Sequence, residues 1–384
     1  MEKNVVRLTA SDYDETVDFL NMVFSMNNRP HDFPAMLPTL YQRTEESMGH
    51  HYAIRSSGRI QAVVGIYPTT LVVGEMSLKL ARIGAVSTHP YARGRGLMGI
   101  LLNRVRRVLE EGGYDLAWLA GLRHRYLHFG YEKAGVVWTY TFTKNNLKHV
   151  PHSNDPIQLE LVTENDPALI EKLLSFHKKQ SAYCTRSPED FFTCCSHWYH
   201  KLLAAYCGKE LVGYLVVNQG ETEVTELAAG DEETQLKMLE ALIQRSSTQS
   251  IRVGVNPLDV SFMRLLEKYA EDVSLSTSGN WQILNWEKVV QACLRAKSQV
   301  LPLDDGVISL EIIGYGSVEI GAAESDVYCV PTAESGIIAL DGPRMTRFLF
   351  GPHSPQTVIS LPSRAKVLQN WCPLPLYLGR QDFA

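Results

Sequence analysis

The sequence predicts a mixed α/β chain built as three units in tandem, and three observations predict it. Strand-like and helix-like segments alternate from Val5 to about Thr143. The same order of elements returns loosely between about 157 and 280, and from Trp281 a helix leads into β-like segments that end in further helices. The units are expected at 1–148, 149–280 and 281–384. Length supports the division, because 384 residues exceed one ordinary core, at roughly 150 residues per domain.

In the first unit Val5–Leu8 reads as a short strand. Thr9-Ala10-Ser11-Asp12 then opens an amphipathic helix carrying Val17, Leu20, Val23 and Phe24, with Ser11 or Asp12 as N-cap. A β-rich stretch follows: His51–Arg55, a turn at Ser56-Ser57-Gly58, Ile60–Val73, a turn at Gly74-Glu75, and Leu78–Ser87. A helix over about Gly96–Glu111, a strand at Leu116–Ala120, a short helix around Arg123–Phe129 and a strand over about Val136–Thr143 complete it. The polar, Pro-containing stretch Lys144–Pro156 reads as a linker. The second unit is expected to hold helices near Pro167–His177 and Pro188–Leu203, then strands at Ala205–Cys207, Leu211–Val217 and Val224–Ala228. A helix at Glu233–Arg245 and a strand at Ile251–Val255 end it; the pattern recurs without a sequence repeat. The third opens with Trp281-Gln282-Ile283-Leu284-Asn285-Trp286 and a helix near Val289–Ala296, with later helices at about Gly342–Phe350 and Lys366–Asn370.

Composition narrows the class. With 45% hydrophobic and 21% charged residues the chain has enough apolar mass to fold throughout. No apolar run reaches the roughly 18–20 residues of a membrane span. Its 37 basic and 42 acidic residues give −5, which argues against nucleic acid as a partner and favours cationic ones. Met1–Glu15 has no apolar core of a signal peptide. Seven cysteines without a Cys-x-x-Cys pair suggest neither a disulfide framework nor a zinc site, so a reducing, cytoplasmic setting is expected.

One window carries chemistry: Val86-Ser87-Thr88-His89-Pro90-Tyr91-Ala92-Arg93-Gly94-Arg95-Gly96-Leu97-Met98-Gly99. It lies where an apolar strand ends and a helix begins, with Leu97, Leu101, Val105 and Val108 on one helical face. Such a helix start offers unpaired N–H groups and a positive dipole end, and glycine lets an anion approach the backbone. Arg93 and Arg95 add positive charge, so the window suits a pyrophosphate. It is not a Walker loop. Gly94-x-Gly96-x-x-Gly99 lacks the acidic residue that a dinucleotide fingerprint places on a second strand.

Arg93-Gly94-Arg95-Gly96-Leu97-Met98 resembles the acyl-CoA loop Gln/Arg-x-x-Gly-x-Gly/Ala of the GNAT acetyltransferase superfamily, departing only at Met98. A larger residue there resembles the Eis family of N-acetyltransferases. So do Leu119-Ala120-Gly121-Leu122 and Tyr126-Leu127-His128-Phe129-Gly130-Tyr131. The resemblance implies a catalytic GNAT domain, a degenerate second GNAT fold and a third domain similar to sterol carrier protein. It implies acetyl-CoA as acetyl donor, no metal, no membrane, and a homo-oligomer in which trimers pair into hexamers. Val86, Ser87 and Thr88 would offer backbone hydrogen bonds to the acetyl and pantetheine end; Gly94, Arg95, Gly96, Leu97, Met98 and Gly99 would hold the pyrophosphate. Gly121 and Leu122 would line the far side of the pantetheine.

By the same resemblance Tyr126 is the general acid towards the coenzyme A thiolate. The general base is the chain's own terminal carboxylate, here that of Ala384, one residue beyond the usual aromatic end, with Asp382 as the alternative. The acceptor is expected to be a primary amine on an aminoglycoside-like molecule, a small polyamine or lysine, acetylated by direct transfer. The rival readings are transfer of another acyl group, and a non-catalytic coenzyme A or lipid-binding regulator. In the second unit Ala229-Gly230-Asp231-Glu232-Glu233 sets three carboxylates where a pyrophosphate would sit, so one donor site per chain is expected. His124 and His128, His50-His51, the pair His197 and His200, and Cys194-Cys195 read as structural or surface residues. Phe24, Met26, Phe33 and Met36 read equally as acceptor-pocket lining or as ordinary core.

Overall fold

The computed structural model describes residues 5–26, 29–150, 156–164, 166–323 and 326–384. Its longest feature is the antiparallel pair Arg59–Val73 and Met76–Thr88, joined by a turn in which Gly74 takes φ +56°. Around it grows a sheet in the order Val5–Arg7, His51–Ser56, Arg59–Val73, Met76–Thr88, Leu116–Leu119, Gly279–Ile283 and Glu132–Ala134. Strand alternation divides the sheet's two faces. Ala62, Val64 and Ile66 meet the helix Leu97–Glu111 through Leu97, Leu101 and Val105. Val63 and Tyr67 meet the helix Tyr13–Ser25 through Phe19, Leu20 and Val23.

The pairings cross the unit boundaries expected from sequence. Val137–Thr143 joins Ser250–Val255 and Asp272–Ser276 in a second sheet. Gly279–Ile283, short of the expected third unit at its start, runs between Leu116–Leu119 and Glu132–Ala134 in the first sheet. Ala182–Cys184 adds to Arg59–Val73. Periodicity reports that a strand buries a face; it does not say in which sheet. The exchange is held by two fully buried tryptophans in register, Trp281 and Trp118. Trp118 Nε1 donates to the Ser278 carbonyl at 2.9 Å and Trp281 Nε1 to Ser278 Oγ at 3.0 Å.

The second sheet runs Asp272–Ser276, Val137–Thr143, Ser250–Val255, Glu223–Ala229, Glu210–Val217, Lys201–Cys207 and Ile157–Leu161. The helix expected over Pro188–Leu203 stops at Cys195, and Lys201–Cys207 is a strand. Trp198 and Tyr199 turn the chain with φ +61° and +62°. The end of that helix is capped from far away in sequence: Gln381 Nε2 donates to the carbonyls of Cys194, Cys195 and His197. In the expected linker, Lys144–Leu147 is helical and Leu147 and Val150 are buried, while 151–155 lie outside the described residues.

The third sheet, in the order Asp326–Thr332, Gly316–Ala323, Gly306–Ile313 and Ile338–Asp341, packs on the helices Trp286–Val300 and Gly342–Phe350. The helix expected at Lys366–Asn370 is a tight turn at Ser363–Ala365 followed by Leu368–Trp371. This core is continuous with the tip of the long hairpin, since Leu71, Val73 and Leu78 share one cluster with Phe348 and Trp371. Among the described residues no helix is long and apolar enough to cross a membrane.

Because Trp281 bridges the exchanged strands, Trp281→Ala is expected to cost about 3–5 kcal/mol. It should lower the denaturation midpoint of the first and third units together, read by near-ultraviolet dichroism and urea titration.

Candidate active site

The site begins where two parallel strands part. Met76–Thr88 pairs with Leu116–Leu119 only from Leu80 opposite Leu116 to Ile83 opposite Leu119. Beyond that, the register with Arg59–Val73 slips between Val63 and Gly65, and Ala85 takes φ +55°, a β-bulge. Gly84, Ser87 and Thr88 therefore pair with Arg59–Val73 alone, and Ala85 and Val86 stand outside both ladders. On the other side Asn280 holds the parted strand end, its Nδ2 donating at 3.1 Å to the carbonyls of Leu119 and Gly121.

The glycine-rich turn lies at the same end of the sheet. Gly94 and Gly96 take φ +76° and +71°, and Gly96 is the N-cap of Leu97–Glu111. Both glycines, Arg93 and Arg95 are exposed, so the first-turn N–H groups face solvent. Leu97 is buried, and Met98 rests on the core beneath the helix rather than over its start. Gly99 has only Phe129 within reach of a would-be Cβ, at 3.9 Å. Exposed backbone at a helix start and two arginines suit this turn to an anion.

Tyr126 closes one face of the gap. A Cβ on Gly121, whose φ is +140°, would lie 2.6 Å from Tyr126 Cε2, so only glycine lets the ring approach. The ring is buried, and the hydroxyl makes no hydrogen bond among the described residues. Burial raises its pKa, with Arg125 pulling weakly the other way, so the phenol keeps its proton at neutral pH. Leu122 is exposed.

The chain terminus closes the other face. Gly379–Ala384 runs from the third unit between the first two sheets. Phe383 packs on Trp118 with ring centroids 4.3 Å apart. Ala384 joins the cluster containing Tyr67 and Ala85. A Cβ on Gly84 would lie 3.1 Å from the Ala384 carboxyl carbon, which seats that carboxylate against the last residue before the bulge. Arg82 Nη1 donates to the Asp382 carbonyl at 3.0 Å. Tyr126 lies in the cluster under the Leu97–Glu111 helix and Ala384 against the cluster under the Tyr13–Ser25 helix, on the two faces of the sheet.

The second sheet parts in the same manner, and the tail occupies the parting. Glu223–Ala229 pairs in parallel with Ser250–Val255 at Glu223 and Val224 alone, with a register slip opposite Val216 and Val217. Tyr377, Gly379 and Asp382 line the gap beside Glu226 and Gly254, leaving about 40 Å³. Gln381 Oε1 accepts from Thr225 Oγ1 at 3.1 Å and lies 2.9 Å from His200 Nδ1. The nearby helix Glu232–Arg245 is capped by its own Asp231, which accepts from Thr234 N at 2.8 Å, and Glu232 and Glu233 follow. No pyrophosphate is favoured there.

Below the tail lies a buried ionic fork. Arg186, 2% exposed at its side chain, donates to Glu226 at 2.9 and 2.6 Å and to Asp382 Oδ1 at 3.0 and 3.2 Å. Burial opposes the arginine's charge, but Asp382 and then Glu226 outweigh it and its pKa is raised. Burial likewise would raise the Glu226 carboxyl; Arg186 with His177 holds it well below the usual range. Asp382, the alternative base, is the anchor rather than a group at the gap.

The remaining expectations sort by burial. His197 is buried and pushed down to about 3, and His51 to about 4, chiefly by desolvation. Cys195 is buried beside Arg186 and the Cys194 thiol is pushed up to about 11 by burial. Phe33 and Met36 are core and Met26 is exposed. Among the described residues no three ligating side chains come together for a metal. Gly84, Asn280, Arg186, Glu226 and Gln381 carry no sequence signal, since each acts on a partner more than 30 residues away.

Residues 4–134 match the family model of the acetyltransferase (GNAT) domain, and this stretch is a GNAT domain, the class of fold that takes acetyl-CoA as its acyl donor. No curated protein matches the chain significantly. Solved structures extend the likeness over the whole length. A GCN5-related N-acetyltransferase from Kribbella flavida superposes with TM-score 0.71 at 16% identity, covering 99% of this chain and 98% of that one. One from Anabaena variabilis gives 0.71 at 15%, covering 99% and 100%. Eis1 of Mycobacterium abscessus gives 0.70 at 14%, covering 99% and 100%. The fold is therefore shared from end to end.

Two outcomes follow from the tail's seat. Arg186→Leu strands two carboxylates, at a cost of about 3–5 kcal/mol, and should open Gly379–Ala384 to carboxypeptidase, read by mass spectrometry. Gly84→Ala should displace the terminus and raise its carboxypeptidase sensitivity, since its Cβ meets the Ala384 carboxyl carbon at 3.1 Å and the buried Tyr67 ring at 3.0 Å. Since the folded Glu226 pKa is depressed, its contribution is present above about pH 4.5 and is lost only as pH falls further. Tail protection should hold throughout mildly acid buffers.

Proposed function

We propose that the chain is an acetyl-CoA-dependent N-acetyltransferase that moves an acetyl group to a primary amine by direct transfer in a ternary complex. The observation that carries this reading is that the Ala384 carboxylate lies against Gly84 and the Tyr126 ring against Gly121, just beyond the last paired positions of the two parallel strands. In this reading backbone groups of Val86, Ser87 and Thr88 hold the acetyl and pantetheine end. Gly121 and Leu122 line its other side, and Gly94, Arg95, Gly96, Leu97, Met98 and Gly99 hold the pyrophosphate.

The amine nitrogen attacks the thioester carbonyl carbon, so a C–N bond forms and the carbonyl becomes an oxyanion. Backbone N–H groups at the bulge, where Ala85 and Val86 stand outside both ladders, suit that charge. The proton leaving nitrogen passes to the Ala384 carboxylate. As the C–S bond breaks, the sulfur takes a proton from the Tyr126 phenol, giving an amide and free coenzyme A. A ternary complex needs a second opening for the acceptor. A cavity of about 730 Å³ supplies it, lined by Ala120, Phe383 and Ala384 and by loops of the second sheet. A terminus locked by a buried ion pair favours turnover over simple coenzyme A or lipid binding. By the same resemblance the third unit is a sterol-carrier-like domain and the chain assembles as trimers or hexamers, which light scattering reads directly.

Acetyl-CoA should raise the melting temperature, and no shift at saturating ligand would sink the reading. Tyr126→Phe should lower kcat by about 10²-fold or more, with little change in acetyl-CoA affinity. Removing Phe383 and Ala384 should do the same. Full activity in both would reassign the acid and the base.

A further inference from the structure

The acceptor cavity shows a charge pattern that its place beside the terminus does not require. Its charged side chains are Arg29, Arg252, Arg380 and Glu223. Glu223 is tied in an ion pair to Arg380, which removes its only side-chain carboxylate from service. Arg252 stands in cross-strand register with Glu223, yet its exposed guanidinium makes no hydrogen bond or ion pair among the described residues. His200 is engaged with Gln381, and the rest of the wall mixes hydroxyl and amide side chains such as Thr139, Asn218 and Ser276 with apolar ones such as Val137, Trp198 and Leu378.

One cavity, then, holds the Ala384 carboxylate and, on the second sheet, the Arg252 guanidinium. A polycation would meet one attractive anion and one unneutralised like charge, that of Arg252. A ligand with an amine at one end and an anion elsewhere would satisfy both, because the planar guanidinium fork matches carboxylate and phosphate oxygens. We propose that the acceptor is a primary amine that also carries an anionic group, carboxylate or phosphate, read by Arg252. This rests on the N-acetyltransferase reading above and replaces the aminoglycoside-like or polyamine acceptor with an amphoteric one. The anion is held in the ground state as well as in transfer, so its effect falls on KM.

The test uses the full chain, acetyl-CoA and thiol release, with matched amines: glucosamine 6-phosphate against glucosamine, lysine against cadaverine, and kanamycin and spermidine as polycations. The anionic member of at least one pair should exceed its partner in kcat/KM by about tenfold or more, through KM. The pair that responds identifies phosphate or carboxylate. In Arg252→Gln the ratio should collapse to within about threefold, with the melting temperature of the wild type. Faster turnover of kanamycin or spermidine than of every anionic amine overturns the inference while leaving transferase activity standing, as does an unchanged ratio in Arg252→Gln. No thiol release with any amine, despite a thermal shift with acetyl-CoA, overturns the transferase reading and this inference with it.

Discussion

The Arg186 fork is the constraint on which the site depends. A guanidinium excluded from water is tolerable only with its charge answered and its donors used. Glu226 and Asp382 do both, one from the second sheet and one from the last residues of the chain. Leaving Asp382 out would leave the buried Arg186 Nε without its acceptor, so seating of the terminus completes the second unit. Gln381 tightens the same coupling by capping the helix that ends at Cys195. The short distance from Asp382 to Ala384 then leaves the terminus little freedom, and Phe383 on Trp118 fixes its direction.

Two sheets of similar plan put the same device to different uses. In each, a parallel pair parts at a bulge and exposes one strand's edge. In the first sheet that edge and the glycine turn face outward. In the second, Tyr377–Asp382 fills the parting, and Asp231 satisfies the helix start that would otherwise attract an anion. The second sheet therefore serves as the bracket that delivers a carboxylate to the first. Strand exchange through Val137–Thr143 and Gly279–Ile283 makes the bracket rigid, since neither sheet is complete without chain from beyond its own stretch.

Half of the site was legible in the sequence. Gly94, Gly96, Tyr126 and Gly121 lie within about 30 residues of one another in a strand–turn–helix–strand run, so their spacing carries geometry. The terminus was expected through resemblance, and Asp382 was weighed as a base when it is an anchor. Arg186 and Glu226 were not legible, because an arginine in a polar segment reads as surface until a partner 196 residues away is placed beside it. The helix that stops at Cys195 was missed for a related reason: its cap comes from the far end of the chain.

The sequence alone determined the α/β class, the turn suited to a pyrophosphate and the absence of such a turn in the second unit. These follow from local periodicity, glycine conformation and charge, all of which act over a few residues. Tertiary structure decided which sheet each strand joins, where the terminus lies, and that the cavity beside it is lined by arginines despite a net charge of −5. Those outcomes depend on contacts between distant segments, and a sum of charges over the whole chain carries no record of where they meet.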